Sequence, residues 1–427
     1  MKVLIIGGGG REHAIAAAVK KNKKVTEIFC APGNGGISSI ATWVPISVME
    51  FSRLADFAQK ENIDLTIVGM DDPLVGGIVN FFEERGLRIF GPRKEAAILE
   101  GSKSFAKNLM QKYHIPTANF QVFHDSDCAI EYLKHSKYPI VLKADGLALG
   151  KGVLICEDFM EAKAGVEEIM LEQKFGAAGK TLVIEEFMVG REVSVLSFVD
   201  GTHIKIMSSA QDHKRALDGD QGLNTGGMGT FSPSPFYTQE IDEFCKKNIY
   251  QATVDAMENE GRKFKGIILF GVMLTKDGPK VMEYNARFGD PEAQVILPRM
   301  KSDLVNLMEA CIDGTLDQQE LEFEENAAVC VVLASKGYPL QYEKGYEISG
   351  LEKFLNQEDY LCFHAATILE DGLVKSNGGR VLGITAKGKT LDQARIKAYE
   401  ATKWIDFKNK FMRLDIGNAI NDTIDKA

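Results

Sequence analysis

Cysteine and histidine are scarce in this sequence, at seven residues each of 427. The cysteines (30, 128, 156, 245, 311, 330 and 362) form no CxxC pair and no cluster. That argues against a disulfide framework and a structural zinc site, and for reduced thiols. The histidines are equally scattered. Long apolar runs are missing as well. The opening "MKVLIIGGGG" offers four apolar residues before its glycines, too few for a signal-peptide core, and no later run approaches a membrane span. A cytoplasmic protein with no membrane partner is the expectation. Basic residues are in deficit, 50 against 60 acidic, giving a net charge of −10. This disfavours a general nucleic-acid or anionic-membrane surface, but it leaves room for a local basic pocket that takes phosphates. There is no low-complexity tract and no internal repeat.

What is present is an ordinary globular composition, 45% hydrophobic and 26% charged. The chain is too long for one core, so two to four domains are expected. Residues 2–6, "KVLII", read as a strand, followed by a glycine loop and a helix from "REHAIAAAVKK". Strand-like "VTEIFCA", "DLTIVGM" and "RIFGP", with a helical 50–61 among them, complete an α/β unit with a parallel sheet. From Gly101 the pattern changes. "GSKSFAKNLMQKYHIPT" reads as a helix with Ser102 near its N-cap, ending before Pro116. Strands follow at 139–143, 152–156, 181–187 and 192–199, with a helical 159–174. Then come a glycine-rich loop at 219–230, a helical 237–261 and strands at 266–275 and 279–286. An acidic stretch, "EFEENAA", marks a boundary before a small mixed α/β domain with strands near 327–334, 361–368 and 380–386 and a helix near 390–404. The division expected is an N-terminal unit 1–102, a central unit 103–325 with an inserted lid at about 121–190, and a C-terminal unit 326–427.

Three stretches carry chemistry. The first, "GGGGREH", resembles a dinucleotide fingerprint, but Glu12 stands where the third glycine belongs. The second strand ends "FCAPGN", without the carboxylate that would hold a ribose hydroxyl. Backbone N–H groups at a helix start still favour an anion. The loop is therefore either a phosphate loop for a substrate, helped by Arg11 or the turn at Pro32-Gly33-Asn34-Gly35-Gly36, or a tight turn that lets helix and strand pack. His13 reads as a packed or partly exposed helix residue.

The second stretch reads as a nucleotide site or, alternatively, as a hairpin turn with solvated strand ends. Lys143 ends "YPIVLK", and "ADGLALGKGV" carries Lys151 on a glycine loop, so two cations can flank a polyphosphate. This is not a Walker loop, since Gly152 follows the lysine where Ser or Thr is needed. In "TLVIEEFMVGREVSV", Glu185 and Glu186 suit an adenine amine, Phe187 and Met188 could flank a purine, and Glu192 suits ribose hydroxyls. The third stretch is "VMEYNARFGDPE". Strand alternation puts Glu283, Asn285 and Arg287 on one face. A carboxylate and an amide oxygen two residues apart make either a sparse magnesium site that leaves room for phosphate oxygens or part of a surface salt-bridge row, which the neutral Asn285 between opposite charges disfavours. Arg287 can grip a phosphoryl group with two nitrogens.

Together these elements resemble the ATP-grasp ligases and, more closely, the glycinamide ribonucleotide synthetase family. The resemblance covers nearly all of the chain. It runs through "MKVLIIGGGGREHAIA", "APGNGG", "LEGSKSFAKNLM", "VLKADGLALGKGV", "IEEFMVGREVSV", "SKGYP", "GGRVLGITAKG" and "FMRLDIG". Its most specific parts are "DHKRALDGDQGLNTGGMG" and "NARFGDPE". The resemblance implies ATP-driven joining of glycine to phosphoribosylamine through glycyl phosphate, the second step of de novo purine synthesis, with Mg²⁺ or Mn²⁺ as the metal and a monomeric enzyme. It implies an N-terminal nucleotide-fold domain, an ATP-grasp domain with a lid, and a small C-terminal domain.

The resemblance also carries over roles. Lys103, Lys143 and Lys151 face the ATP phosphates; Glu185, Glu186, Met188 and Glu192 hold adenosine. Glu283 and Asn285 bind the metal, and Arg287 takes the transferring phosphate. Asp212, Lys214, Asp220, Asn224 and Thr225 border the glycine and phosphoribosylamine sites, Asp212 and Lys214 with catalytic parts, and Gly9 and Asn34 join the substrate set. Three other readings differ in kind: a dinucleotide-dependent oxidoreductase, a non-catalytic nucleotide-binding protein, and an ATP-grasp ligase for another carboxylate and amine. The missing acidic residue and the metal row oppose the first, Arg287 beside a metal pair opposes the second, and the 211–230 loop opposes the third.

Overall fold

The computed structural model describes residues 1–147 and 152–418. Lys151 lies outside the described residues. The N-terminal unit holds strands β1 (Lys2–Gly7), β2 (Glu27–Pro32), β3 (Thr42–Trp43), β4 (Leu65–Val68) and β5 (Ile89–Phe90). They form one parallel sheet in the order β3-β2-β1-β4-β5. Helices cover both faces, so the apolar run Val3–Ile6 is fully buried, which is why it is continuous rather than alternating.

The helix Lys103–Lys112 starts where the sequence places it: the Ser102 hydroxyl accepts a hydrogen bond from the Phe105 N–H (3.0 Å). Strands β6 (Phe120–Phe123), β7 (Ile140–Ala144), β8 (Val153–Cys156) and β9 (Leu182–Glu186) make an antiparallel sheet of their own, in the order β6-β9-β7-β8. Its apolar face packs on the helices Ser126–Leu133 and Phe159–Val166.

From Arg191 the chain forms β10 (Arg191–Asp200), β11 (Ile204–Ile206), the short β12 (Gln211–Asp212), β13 (Arg215–Leu217), β14 (Gln221–Asn224), β15 (Gly229–Ser232), β16 (Lys265–Thr275) and β17 (Gly278–Asn285). The segment read as a glycine-rich loop at 219–230 is therefore partly β structure. Gly219 and Asp220 adopt positive φ (66° and 53°), a turn that lets β13 and β14 pair as a hairpin. A long antiparallel sheet, β11-β10-β16-β17, forms the floor of the central unit.

The C-terminal unit adds β18 (Ala327–Ser335), β19 (Tyr360–His364), β20 (Thr367–Glu370), β21 (Leu373–Ser376), β22 (Arg380–Gly388) and β23 (Lys410–Phe411). The single strand expected at 361–368 is thus two strands. β19 pairs with β22, while β20 leaves that sheet to form a hairpin with β21. The expected boundary at 325/326 does not coincide with a break in the structure. β12 and β15, from the central region, pair on into β18, making the sheet β12-β15-β18-β22-β19. Among the described residues no helix is long and apolar enough to cross a membrane.

Candidate functional site

The units meet around a cavity of about 2540 Å³. Its chemistry is concentrated on the β16–β17 hairpin and the sheet facing it. A register shift between Gly271 and Val272 bulges β17 at Met282, so Met282 and Glu283 both reach the cavity, and Tyr284, which also borders it, packs into the core. β17 ends at Asn285. Arg287 therefore projects from the following turn rather than from the strand, yet it lines the same cavity. Its guanidinium faces Glu100 (3.3 Å), whose other oxygen accepts from the Ala286 N–H (2.7 Å). Burial pushes the Glu100 carboxyl up to about 6.

Cations converge on Glu283. The Lys214 ammonium sits 3.3 Å from it and also bonds Glu192. Lys214, with Lys143 and Lys103 behind it, holds the Glu283 carboxylate down at about 2 against its own desolvation. Lys103 opens the helix after Ser102 and donates to the Gly146 carbonyl (2.8 Å); burial lowers its pKa. Asp145 locks that corner by accepting from the Ser104 N–H (3.0 Å) and hydroxyl (2.7 Å).

The carboxylates of Glu185 and Glu186, both on the cavity wall, point apart, because neighbours on a strand face opposite ways. Glu185 points inward, 2% exposed, and bridges Lys107 (2.9 Å) and Lys143 (3.0 Å). One of its oxygens, Oε1, has no hydrogen-bond partner. Glu186 points the other way, toward the Asn119 amide (2.7 Å) and Lys280 (3.4 Å). Phe187 and Met188 line the cavity beyond them. Lys107 escaped the sequence reading since it sits inside an amphipathic helix, where a lysine ordinarily faces water. Here it is 2% exposed, donates to the Thr117 hydroxyl (2.8 Å), and burial lowers its pKa to about 8.

The glycine loop differs from the phosphate-loop expectation. The N–H of Gly9 already donates to the Glu12 carboxylate (2.6 Å), which also takes Arg11 Nε (2.6 Å). The Glu12 side chain fills the crevice between β1 and β4 so closely that a Cβ on Gly69 would meet it at 2.2 Å. A dinucleotide pyrophosphate would find a carboxylate there. Asn34 is equally committed: its amide nitrogen donates to the carbonyls of Gly8 (2.9 Å) and His364 (2.8 Å), and its oxygen accepts from the N–H groups of Gly36 and Ile37. Both residues border the cavity, but these groups are used within the fold. His13 is buried against His364, whose N–H it accepts at 2.9 Å, so it joins the N- and C-terminal units.

Of the hairpin residues, Lys214 reaches Glu283, and Thr225 holds the Lys214 carbonyl through its hydroxyl (2.9 Å). Asn224 sits exposed at the end of β14. Asp220 is tied to Arg413 (2.8 Å), and Asp212 lines the inner wall. Arg380, which the sequence reading left unassigned within "GGRVLG", pairs with Asp290 (3.0 Å) at the end of the cavity formed by the C-terminal unit.

Comparison with known proteins decides the family. Residues 1–100 match the N domain of phosphoribosylglycinamide synthetase, 101–293 its ATP-grasp (A) domain and 328–419 its C domain. The chain belongs to the phosphoribosylglycinamide synthetase family. It is 47% identical to the phosphoribosylamine–glycine ligase of Caldanaerobacter subterraneus over 97% of this chain and 99% of that one. It is 49% identical to the ligase of the same name from Halalkalibacterium halodurans, over 98% and 97%. The crystal structure of phosphoribosylamine–glycine ligase from Thermotoga maritima superposes with a TM-score of 0.84 at 36% identity, covering 97% of this chain and 100% of that one. A biotin carboxylase domain from Hydrogenobacter thermophilus shares the fold, with a TM-score of 0.74 at 15% identity over 96% and 91%.

Proposed function

We propose that this protein joins glycine to 5-phosphoribosylamine at the expense of ATP, giving glycinamide ribonucleotide, ADP and phosphate, the second step of de novo purine synthesis. The observation that carries the reading is the convergence of Lys103, Lys143 and Lys214 on Glu283, with Arg287 in the next turn, inside a cavity lined by all three family domains. A glycine carboxylate is a poor electrophile and must first gain a leaving group. Lys103 and Lys143 are set to hold the ATP phosphates, and Arg287 the phosphoryl group in transfer once it lets go of Glu100. The glycine oxygen bonds to the γ-phosphorus as the bond to ADP breaks. The amine of phosphoribosylamine then bonds to the glycyl carbon, phosphate leaves, and the amine gives up a proton.

An ionised carboxylate and an amide oxygen on one wall, beside lysines that bind phosphate, fit a hard dication completed by phosphate oxygens and water. Glu283 and Asn285 would hold magnesium there, with manganese as the alternative, and the ion supplies charge neutralisation between the phosphates. Glu185 Oε1, buried without a partner, is free to accept the adenine amine. Glu192 and Lys214 stand between this nucleotide end and the glycine end.

The test is an ATPase assay with glycine and phosphoribosylamine omitted in turn, followed by ligation of glycine labelled with ¹⁸O in its carboxylate. Label is expected in inorganic phosphate, with ADP as the nucleotide product. Unlabelled phosphate, or AMP with pyrophosphate, would sink the acyl-phosphate route.

A further inference from the structure

The acidic side chains of the cavity are not all alike. Glu12, Glu100, Glu185, Glu192, Glu283 and Asp290 each pair with a lysine or arginine. Among the described residues Asp212 and Glu292 have no such partner, although both line the same cavity. Asp71 and Asp277 also lack one, but Asp71 is only half-buried and Asp277 lies on an exposed turn. Glu292 is 6% exposed, and its carboxylate accepts a hydrogen bond from the Ser194 hydroxyl (2.9 Å). Asp212 accepts from the N–H of His213 (2.7 Å). Asp212 and Pro291, the residue before Glu292, close on Gly227, where a Cβ would meet Pro291 at 2.5 Å and the Asp212 carboxylate at 2.6 Å, and the Glu292 charge acts on Asp212.

Sheet register relates this corner to the phosphoryl end. Ser194 on β10 is opposite Gly271 on β16, and Gly271 is opposite Glu283 on β17. Residues directly opposite share a face, so Ser194 and Glu283 stand on the same side, two strand spacings or about 10 Å apart. Gly271 leaves the floor between them bare; a Cβ there would press on Glu283 at 3.2 Å. Glu292, oriented by Ser194, thus stands across this bare floor from Glu283.

We infer that Glu292 is a catalytic residue of the amide-forming half-reaction. Its carboxylate, oriented by Ser194, takes the proton that the amine nitrogen releases as its bond to the glycyl carbon forms and the carbon–oxygen bond to phosphate breaks. Asp212 is the positioning residue beside it. Burial, then the nearby Glu292, pushes the Asp212 carboxyl upward toward its neutral form, since two close carboxylates in one dry corner resist ionising together. Lys214, Glu192 and Arg380 are the other charges facing Asp212. A cation beside Glu292 would hold its lone pairs away from the amine; none is there among the described residues.

This inference rests on the ligase reading above, and the test separates the two. Hydroxylamine is nucleophilic enough to trap a glycyl phosphate unaided, so it reports the phosphoryl half-reaction, whereas phosphoribosylamine reports both halves. Glu292→Gln is expected to lower ligation of phosphoribosylamine about 100-fold or more, the usual contribution of a general base. ATP- and glycine-dependent hydroxamate formation should stay within about threefold of the parent. Ser194→Ala, which leaves the acid in place but unoriented, should lower ligation about tenfold, with hydroxamate formation again near the parent's, and it serves if Glu292→Gln does not fold. Ligation by Glu292→Gln within fivefold of the parent overturns the inference, as does an equal fall in hydroxamate. Should Ser194→Ala be the variant that folds, unchanged ligation overturns it. A parent protein that forms neither product refutes the ligase reading itself.

Discussion

Glu283→Gln isolates the carboxylate on which the cavity's lysines converge. In the parent, Lys214, Lys143 and Lys103 hold Glu283 at about 2 rather than its ordinary 4.5. That displacement corresponds to about 3 kcal/mol of favourable interaction at neutral pH. The side chain is 33% exposed, so water screens it, and about 1–2 kcal/mol is the realistic loss. Because the folded pKa is depressed, this stability is present above pH 4.5 and lost as pH falls toward 2. The variant should therefore melt only a few degrees lower at pH 7, and the gap should close below pH 3. Turnover should fall far more, at least about 100-fold, equivalent to about 2.7 kcal/mol of transition-state stabilisation. Calorimetry and coupled ADP release measure the two quantities on one preparation. A sharp drop in melting temperature with turnover preserved would show that Glu283 is a structural ion-pair partner, and the phosphoryl-transfer assignment would fall with it.

Two further outcomes concern the joints between units. Burial lowers His13 to about 3 and His364 to about 4, so both stay neutral in the folded protein. Their stability contribution is complete above about 6.5 and is lost as pH falls toward 4, by up to about 2.7 kcal/mol per pH unit for two protons. Urea midpoints at pH 7 and pH 5 should thus differ more for the parent than for His13→Gln/His364→Gln, and equal differences would refute the neutral pair. Arg413 is 1% exposed and bonds Asp415 (2.7 Å), Asp220 (2.8 Å) and the Arg215 carbonyl (3.0 Å). Arg413→Met should cost about 1–3 kcal/mol, since Asp220 stays open to water and Asp415 partly so, with hydrogen exchange rising first in 215–224; protection unchanged there would place the loss elsewhere.

Local patterns carried most of the fold into view. Val3–Ile6, the Ser102 cap and the strand around Glu283 are short-range signals, and each appears where the residues place it. What escaped depends on partners distant in sequence. Nothing near Lys107 says that a glutamate 78 positions later (185 − 107) will draw its ammonium into the core. Glu185 and Glu186 look alike in sequence, and only the pairing of β9 with β7 and β6 decides which is buried against Lys107 and Lys143 and which turns to Asn119 and Lys280. The four glycines invited a phosphate, and the carboxylate that takes the Gly9 N–H comes from Glu12, one turn on. Glu292 was legible only as the end of "NARFGDPE"; its lack of a cation is a property of the assembled wall.

The strand pairing that carries β12 and β15 into β18 constrains how this chain could ever be divided. A gene split at the acidic stretch before Ala327 would separate β15 from four registered partners, Gly229 to Ser232 against Val331 to Ala328. It would leave an unpaired apolar edge on one fragment, the kind of surface that aggregates. Asp212, two strands further along, would lose its support at the same stroke. The piece of chain that looks like a detachable appendage is therefore the outer wall of the substrate chamber.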